Sequence, residues 1–435
     1  MQKFTLRKTC FLLIVASFTI ILSSMPLYAE PLAEFVQEAL AKNPDLRAAK
    51  ERWQMFERKV IPARTLNDPQ LGFAFSNYPI DSFKADETPM TGNEIQLSQK
   101  FPFPGKLDAK GEIADQQALW YKGVWEDAQL QLTQKVKDAW YRLYYQDQAI
   151  QVTEKNIDLL DDFIRLTETK YEVGSGLQQD VLKAQVERSK LMDRLLTLRQ
   201  MRKSIQANLN TLMARPAMDP IPPAEDFSLL TVDLSLDTLQ NLSQEKRPLF
   251  KSYQALIDRY ESQRKLAKLD YYPDFNVWAG YRIREDVPGD PVDGTDFISA
   301  GVSINLPIWQ KKRNEQLAEA ATGVNMARQQ YDDFRYRVNY LLSDTYVQME
   351  KNRDLVDLYK TGIIPQSQQT FEASLAAYQV GDVDLLNVLD SLMTLYRYQI
   401  DYFRVVTDYQ RNIAQLEAAA GISIGVDSTT SPENN

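Results

Sequence analysis

The side chains able to do chemistry in this chain are mostly its acids. The 435 residues hold 59 Asp and Glu against 50 Lys and Arg, with one Cys and no His. Without imidazole there is no Ser-His-Asp relay, no histidine base and no His-ligated zinc. Paired carboxylates can hydrolyse a glycosidic bond, but no pattern places two of them in a cleft. The sequence has no glycine-rich phosphate loop and no nucleophile motif, so neither an enzyme nor a bound cofactor is expected. A formal charge of −9 argues against the basic face of a nucleic-acid binder. The most suggestive acids flank two similar turns, Tyr171-Glu172-Val173-Gly174 and Tyr378-Gln379-Val380-Gly381. They are Glu172 and Asp180 at the first turn, and Asp382, Asp384 and Asp390 at the second. Acids just after a glycine turn can cap the next helix and complement its dipole. Repeated around a symmetry axis, the same acids would form a ring that favours cations. Both readings remain open on sequence alone.

The two turns belong to a repeated unit. Asn43-Pro44 recurs as Arg247-Pro248, and Asp68-Pro69 as Tyr272-Pro273, both at an offset of 204. Leu97 to Phe103 matches Val302 to Ile308 at 205, and the tyrosine–glycine turns match at 207. Landmarks kept in order at nearly constant spacing signify internal duplication. Pro216 to Pro223 forms the linker. The expected domains are a first repeat over 30–223 and a second over 224–421, with a flexible tail at 422–435. Before them, Lys3, Arg7 and Lys8 precede an uncharged apolar run from Phe11 to Leu22, and Ala29 offers a small residue at a cut. Residues 1–29 therefore read as a secretory signal peptide. Its removal lowers the formal charge from −9 to −12 and takes away Cys10.

Each repeat has the same grammar. A helix leads into a β-hairpin, expected at 69–103 and again at 273–309. A long helical hairpin follows, expected at 107–215 and 311–420. Leu107 to Tyr171 contains no Pro, and 65 residues of helix reach about 98 Å. The returning helix carries a heptad through Val181, Ala184, Arg188, Leu191, Leu195, Leu198, Arg202, Ile205, Leu209 and Leu212. Adding 207 gives Val388, Ser391, Leu395, Tyr398, Tyr402, Val405, Tyr409, Asn412 and Leu416. Arg188, Arg202 and Asn412 interrupt the seam, as expected of helices lining a wide water-filled assembly.

The strands alternate. Leu71, Phe73 and Phe75 oppose Gly72, Ala74 and Ser76, while Ile95, Leu97 and Phe101 oppose Gln96, Ser98 and Lys100. Phe275, Val277, Tyr281 and Ile283 oppose Asn276, Gly280, Arg282 and Arg284, with Trp278 on the polar side. Such strands suit a half-buried soluble sheet or tilted transmembrane strands. No stretch after the leader reaches the roughly 18 apolar residues of a spanning helix. Four strands cannot close a barrel, whose smallest outer-membrane form uses about eight. Three copies would supply twelve, so a homotrimer is expected, with Lys100, Arg282 and Arg284 facing the lumen.

The duplicated unit, the paired Tyr-x-Val-Gly turns, and the following Asp180-Val181-Leu182 and Asn387-Val388-Leu389-Asp390 resemble the TolC-like outer-membrane efflux duct family. Asn43-Pro44-Asp45-Leu46, Asn67-Asp68-Pro69 and Leu97 to Lys106 are most similar to its heavy-metal or cation branch. The resemblance implies a membrane α+β fold: a trimeric twelve-stranded barrel in outer-membrane lipid, continued by a helical barrel through the periplasm. It implies a passive duct working with a periplasmic adaptor and an inner-membrane pump. Asp180 and Asp390 then stand near the periplasmic constriction, with Asn387 where relatives carry an acid. Tyr171, Gly174, Tyr378 and Gly381 form tips against which an adaptor can dock. The alternatives are a periplasmic coiled-coil adaptor or structural protein, and a type I protein secretion duct.

Overall fold

The computed structural model describes residues 31–224, 226–424 and 426–427. The expected signal peptide, residues 1–29, lies outside the described residues. Two helices, α1 (Pro31–Lys42) and α2 (Pro44–Glu57), meet at Asn43. The Asn43 side chain accepts the N–H of Leu46 at 3.0 Å, and Pro44 opens α2 where no N–H is needed. The short α3 (Val60–Arg64) leads to β1 (Gln70–Ser76) and β2 (Gly92–Phe101). Then α4 (Lys106–Glu172) runs unbroken for 67 residues, about 100 Å, and α5 (Gln178–Leu212) returns.

The second half begins with β3 (Leu230–Thr231), α6 (Leu236–Lys246) and α7 (Pro248–Leu269). After β4 (Phe275–Ile283) and β5 (Phe297–Ile304), its outbound arm divides into α8 (Gln310–Leu358), a π turn over 359–363, and α9 (Ile364–Val380). The return is α10 (Leu385–Ala420). Within the expected tail, 422–435, the described β6 (Val426–Asp427) pairs antiparallel with β3.

Short helices stack end to end on the returning ones, which explains the repeated Asn-Pro and Arg-Pro landmarks. The Asn43 side chain donates to the last-turn carbonyl of α5 at Leu212, 2.9 Å away. At the other junction α10 ends in Gly421, whose φ is +77°. A Cβ there would lie 2.7 Å from the Cα of Arg247, so the glycine serves both the left-handed turn and the close approach. Arg247 caps the stack with a buried ion pair to Asp127 of α4 at 2.8 Å. Four rods result: α5 with α2, α4, α10 with α7, and α8 with α9. Apolar residues wedge between them, with Leu160, Phe163, Leu191, Phe371 and Leu392 joining both halves toward the turns.

Two of the seam interruptions, Arg188 and Arg202, have partners on the neighbouring helix. Arg188 meets Asp161 of α4 at 2.5 Å, and Arg202 pairs with Asp147 of the same helix. A charge at a helix–helix contact is tolerated when a partner and further hydrogen bonds satisfy it. Arg202 also donates to the Ile221 carbonyl at 3.1 Å.

The four long strands form one antiparallel sheet in the order β1-β2-β4-β5, so its central pair joins the two halves. Leu71, Leu97, Ala279 and Ala300 make one cross-strand row, and Phe73, Ile95, Tyr281 and Ile298 the next. These large apolar side chains are exposed, Phe73 at 71% and Phe75 at 72%. The opposite face is the more covered one: Gln96, Ser98, Trp278 and Arg282 are half-buried and Gly280 is buried. This inverts the pattern of a soluble sheet. Strands β1 and β5 are edges with one pairing partner each among the described residues.

Candidate pore mouth at the hairpin turns

Both hairpins turn by the same backbone device. In the first, Gly174 adopts φ +74°, and the N–H of Ser175 reaches back to Lys170 O at 2.8 Å. In the second, Gly381 adopts φ +90°, and the N–H of Asp382 reaches Ala377 O at 2.9 Å. This closing pattern satisfies the last helical carbonyls, and its left-handed residue favours glycine. The next helices start on Leu177 and Asp384, neither of which makes a side-chain cap. Asp180 lies in the first turn of α5, within reach of the helix dipole. Asp390 lies in the second turn of α10, beyond where that field acts strongly.

The tips bring Lys170, Tyr378 and Asp180 together. The Lys170 ammonium donates to Tyr378 O at 2.8 Å and sits 4.1 Å from the ring centre. It thus ties the end of α4 to the end of α9 with a hydrogen bond and a cation–π contact. Tyr378 is buried, and desolvation followed by the Asp180 charge pushes its phenol above the ordinary value. Tyr171, at the equivalent position of the first tip, is exposed. Glu172, Asp382, Asp384, Asn387 and Asp390 are exposed as well.

A groove of about 600 Å³ opens between the starts of α5 and α10. It is lined by pairs of residues 207 apart: Gln179 with Leu386, Leu182 with Leu389, Lys183 with Asp390, and Val186 with Met393. The two halves thus line the groove from equivalent positions, with Lys183 in the first where the second has Asp390. Sequence reasoning missed Lys170 and these apolar groove residues. The available signal was apolar side chains lying off the heptad seam, such as Leu182, Val186 and Leu386.

The three residues expected in a lumen are distributed along the strands. Lys100 lies at one end of the sheet, 3.9 Å from Asp274. Arg282 lies on the more covered face and pairs with Glu94 at 3.4 Å. Arg284, past the end of β4, is buried in the β4–β5 loop instead, where it holds Asp290 at 2.5 Å. Its environment anchors a loop and leaves it no free lumen face. Among the described residues, no group of three or more His, Cys, Asp or Glu is arranged to hold a metal ion. No described helix is long and apolar enough to cross a membrane.

Known proteins share this architecture. The CusC channel structure superposes with a TM-score of 0.79 at 16% identity, covering 92% of this chain and 96% of that one; that likeness is one of fold. The outer membrane efflux protein BepC of Brucella suis is 23% identical over 407 residues, 92% of this chain and 88% of that protein. The cobalt-zinc-cadmium resistance protein CzcC of Cupriavidus metallidurans is 25% identical over 201 residues, 46% of this chain and 42% of that protein. Residues 35–215 and 239–422 match the family model described as outer membrane efflux protein. This chain belongs to the outer membrane efflux protein family.

Proposed function

We propose that the chain is the outer-membrane channel of a tripartite efflux system, a passive duct that performs no bond chemistry. The observation that carries this reading is the inverted sheet: an exposed apolar face, a more covered polar face and two free edges, mounted on rods of about 100 Å. Three copies closing edge to edge would give a twelve-stranded barrel in lipid. The rods would continue it as a helical tunnel into the periplasm. The halves descend, in this reading, from one duplicated unit of about 205 residues with its boundary near Pro223. The tips, with the groove beside them, would meet a periplasmic adaptor that couples the duct to an inner-membrane pump. Asp180 and Asp390, repeated threefold, would form acidic rings at the mouth, favouring cations.

One relative named for cobalt, zinc and cadmium resistance, matched over 46% of this chain, supports a cation cargo. The chain has no His, and Cys10 lies in the leader, so it lacks the thiolate and imidazole ligands that usually select transition metals. Selection would therefore rest with the pump. Deletion of the protein followed by a panel of metal ions, dyes, detergents and antibiotics tests the reading. Sensitivity that appears on deletion and is reversed by the full chain supports it, and an unchanged panel overturns it.

A further inference from the structure

The turn from the sheet into α8 carries features that starting a helix does not require. Beyond the end of β5, Leu306 and Ile308 continue the two-residue step of Val302 and Ile304, and Trp309 follows. Leu306 is 67% exposed, Ile308 66% and Trp309 71%. Next come Lys311 and Lys312, both exposed and, among the described residues, without an ion-pair partner. Ile308, Trp309, Lys311 and Lys312 line an open hollow of about 610 Å³ with Gln310 and Glu315.

The equivalent turn of the first half is built differently. Lys106, 205 residues before Lys311, is buried and held by Tyr272 O at 3.2 Å, Asp270 at 3.1 Å and Asp274 at 2.8 Å. One strand-to-helix turn thus neutralises its lysine, while the other leaves two cations beside exposed apolar surface. Apolar and aromatic side chains at the end of a membrane strand occupy the interfacial belt. Lysines at that depth meet phosphate headgroups, and anionic lipids attract them most.

We propose that the Leu306–Lys312 turn binds an anionic glycerophospholipid of the periplasm-facing leaflet. Lys311 and Lys312 hold the phosphate headgroup, and Leu306, Ile308 and Trp309 lie against the acyl chains. The apolar trio continues the exposed face of β5, which selects a lipid over a soluble phosphate compound. This inference rests on the membrane placement proposed above for the sheet.

The test is native mass spectrometry of the full-length protein released from nanodiscs of mixed phosphatidylglycerol and phosphatidylethanolamine. Wild type should emerge enriched in phosphatidylglycerol, and K311Q/K312Q should lower that enrichment about tenfold, with K311R/K312R retaining it. W309A should weaken retention of both lipids alike. No preference in wild type, an unchanged preference in K311Q/K312Q, or full displacement by inorganic phosphate would each overturn the proposal. So would loss of the assembly in K311Q/K312Q with lipid retention intact, which would make the turn a subunit contact. Fractionation of the same wild-type protein separates the two readings. Protein in the outer membrane without a lipid preference sinks only this inference, whereas protein absent from that membrane sinks the channel reading itself.

Discussion

The two outbound arms cover the same distance in different ways. α4 is continuous, and its buried residues step through Asn156, Leu160, Phe163 and Thr167. In α8 the steps are equally regular through Val338, Leu342, Thr345, Met349, Asn352 and Val356. Continuing that rhythm would turn Thr370 and Ala377 inward. The buried residues are Phe371 and Tyr378, one position later. The π turn absorbs the extra residue, with the N–H of Ile364 bonding to Tyr359 O five residues back. One extra residue rotates the helix face by about 100°. Pro365 follows at the start of α9, where its missing N–H fits a turn whose bonding has already shifted. The comparison teaches that the fold preserves the buried seam and lets helix continuity yield to it.

The strongest way to break that comparison is to add a residue where no π turn receives it. An Ala inserted between Asp158 and Leu159 would swing Leu160 and Phe163, both buried, out of the core. At about 1.5–3 kcal/mol for each large apolar side chain, the loss is about 4 kcal/mol, read as a collapse of thermal stability by circular dichroism. Deleting Gly362 together with P365A does the opposite. It removes the extra residue while keeping Phe371 and Tyr378 on the seam, and should cost less than about 1 kcal/mol. A loss as large as that of the insertion would show that the π turn itself is required.

The returning helices differ at matching seam positions too. Arg188 and Arg202 of α5 correspond, 207 residues on, to Leu395 and Tyr409 of α10. Asp147→Ala would strand Arg202 and also the N–H of Ala224, which Asp147 accepts at 3.0 Å. An expected loss of about 2–3 kcal/mol follows from leaving a half-buried charge unpaired. The double variant D147A/R202L should recover most of it in urea titrations. No recovery would mean that the pair specifies packing beyond its own charges.

At the tips, Asp180 stands where the second half has Asn387, and Lys183 where it has Asp390. If these acids gate the duct, D180A and D390A raise closed-state conductance in planar bilayers and weaken block by multivalent cations. D180A should act more strongly, because Asp180 also bears on Tyr378, which Lys170 clamps. Unchanged conductance in both variants leaves Asp180 only a helix-dipole role, worth about 0.3–1 kcal/mol.

Much of this was legible because periodicity is a local property. Strand alternation located β1, β2 and β4, and the Pro-free run from Leu107 located α4 to within a residue at each end. The Tyr-x-Val-Gly repeats located both turns, because a left-handed residue has few alternatives to glycine. The π turn was not legible: Thr361-Gly362-Ile363-Ile364-Pro365 fits several backbones, and the slip shows only in the fold, in the Ile364 to Tyr359 bond and the burial of Phe371 and Tyr378. The pairing of Arg188 and Arg202 was not legible because their partners, Asp161 and Asp147, lie on another helix. For the candidate site, sequence supplied the acids and the turns. Lys170 escaped because it clamps the tip of the other hairpin, a contact that exists only once both hairpins pack.

The smallest expected effect compares the two junctions where short helices stack. At the second, Arg247 and Asp127 are both buried; at the first, Glu38 meets Arg215 at 2.9 Å and Lys42 at 2.8 Å with more water nearby. Hydrogen bonds from Arg215 and then Lys42 draw the Glu38 carboxyl from 4.5 to about 2. A depressed acid stabilises the fold fully above its unfolded value and loses that contribution as pH falls through the folded one. Wild type should therefore exceed E38Q above pH 4.5, with the gap closing as pH approaches 2. Partial exposure keeps the gap under about 1 kcal/mol, measurable as a shift in urea midpoint. Parallel pH profiles for the two proteins would mean that the first junction is held by Asn43 and its Leu212 carbonyl alone, without help from Glu38.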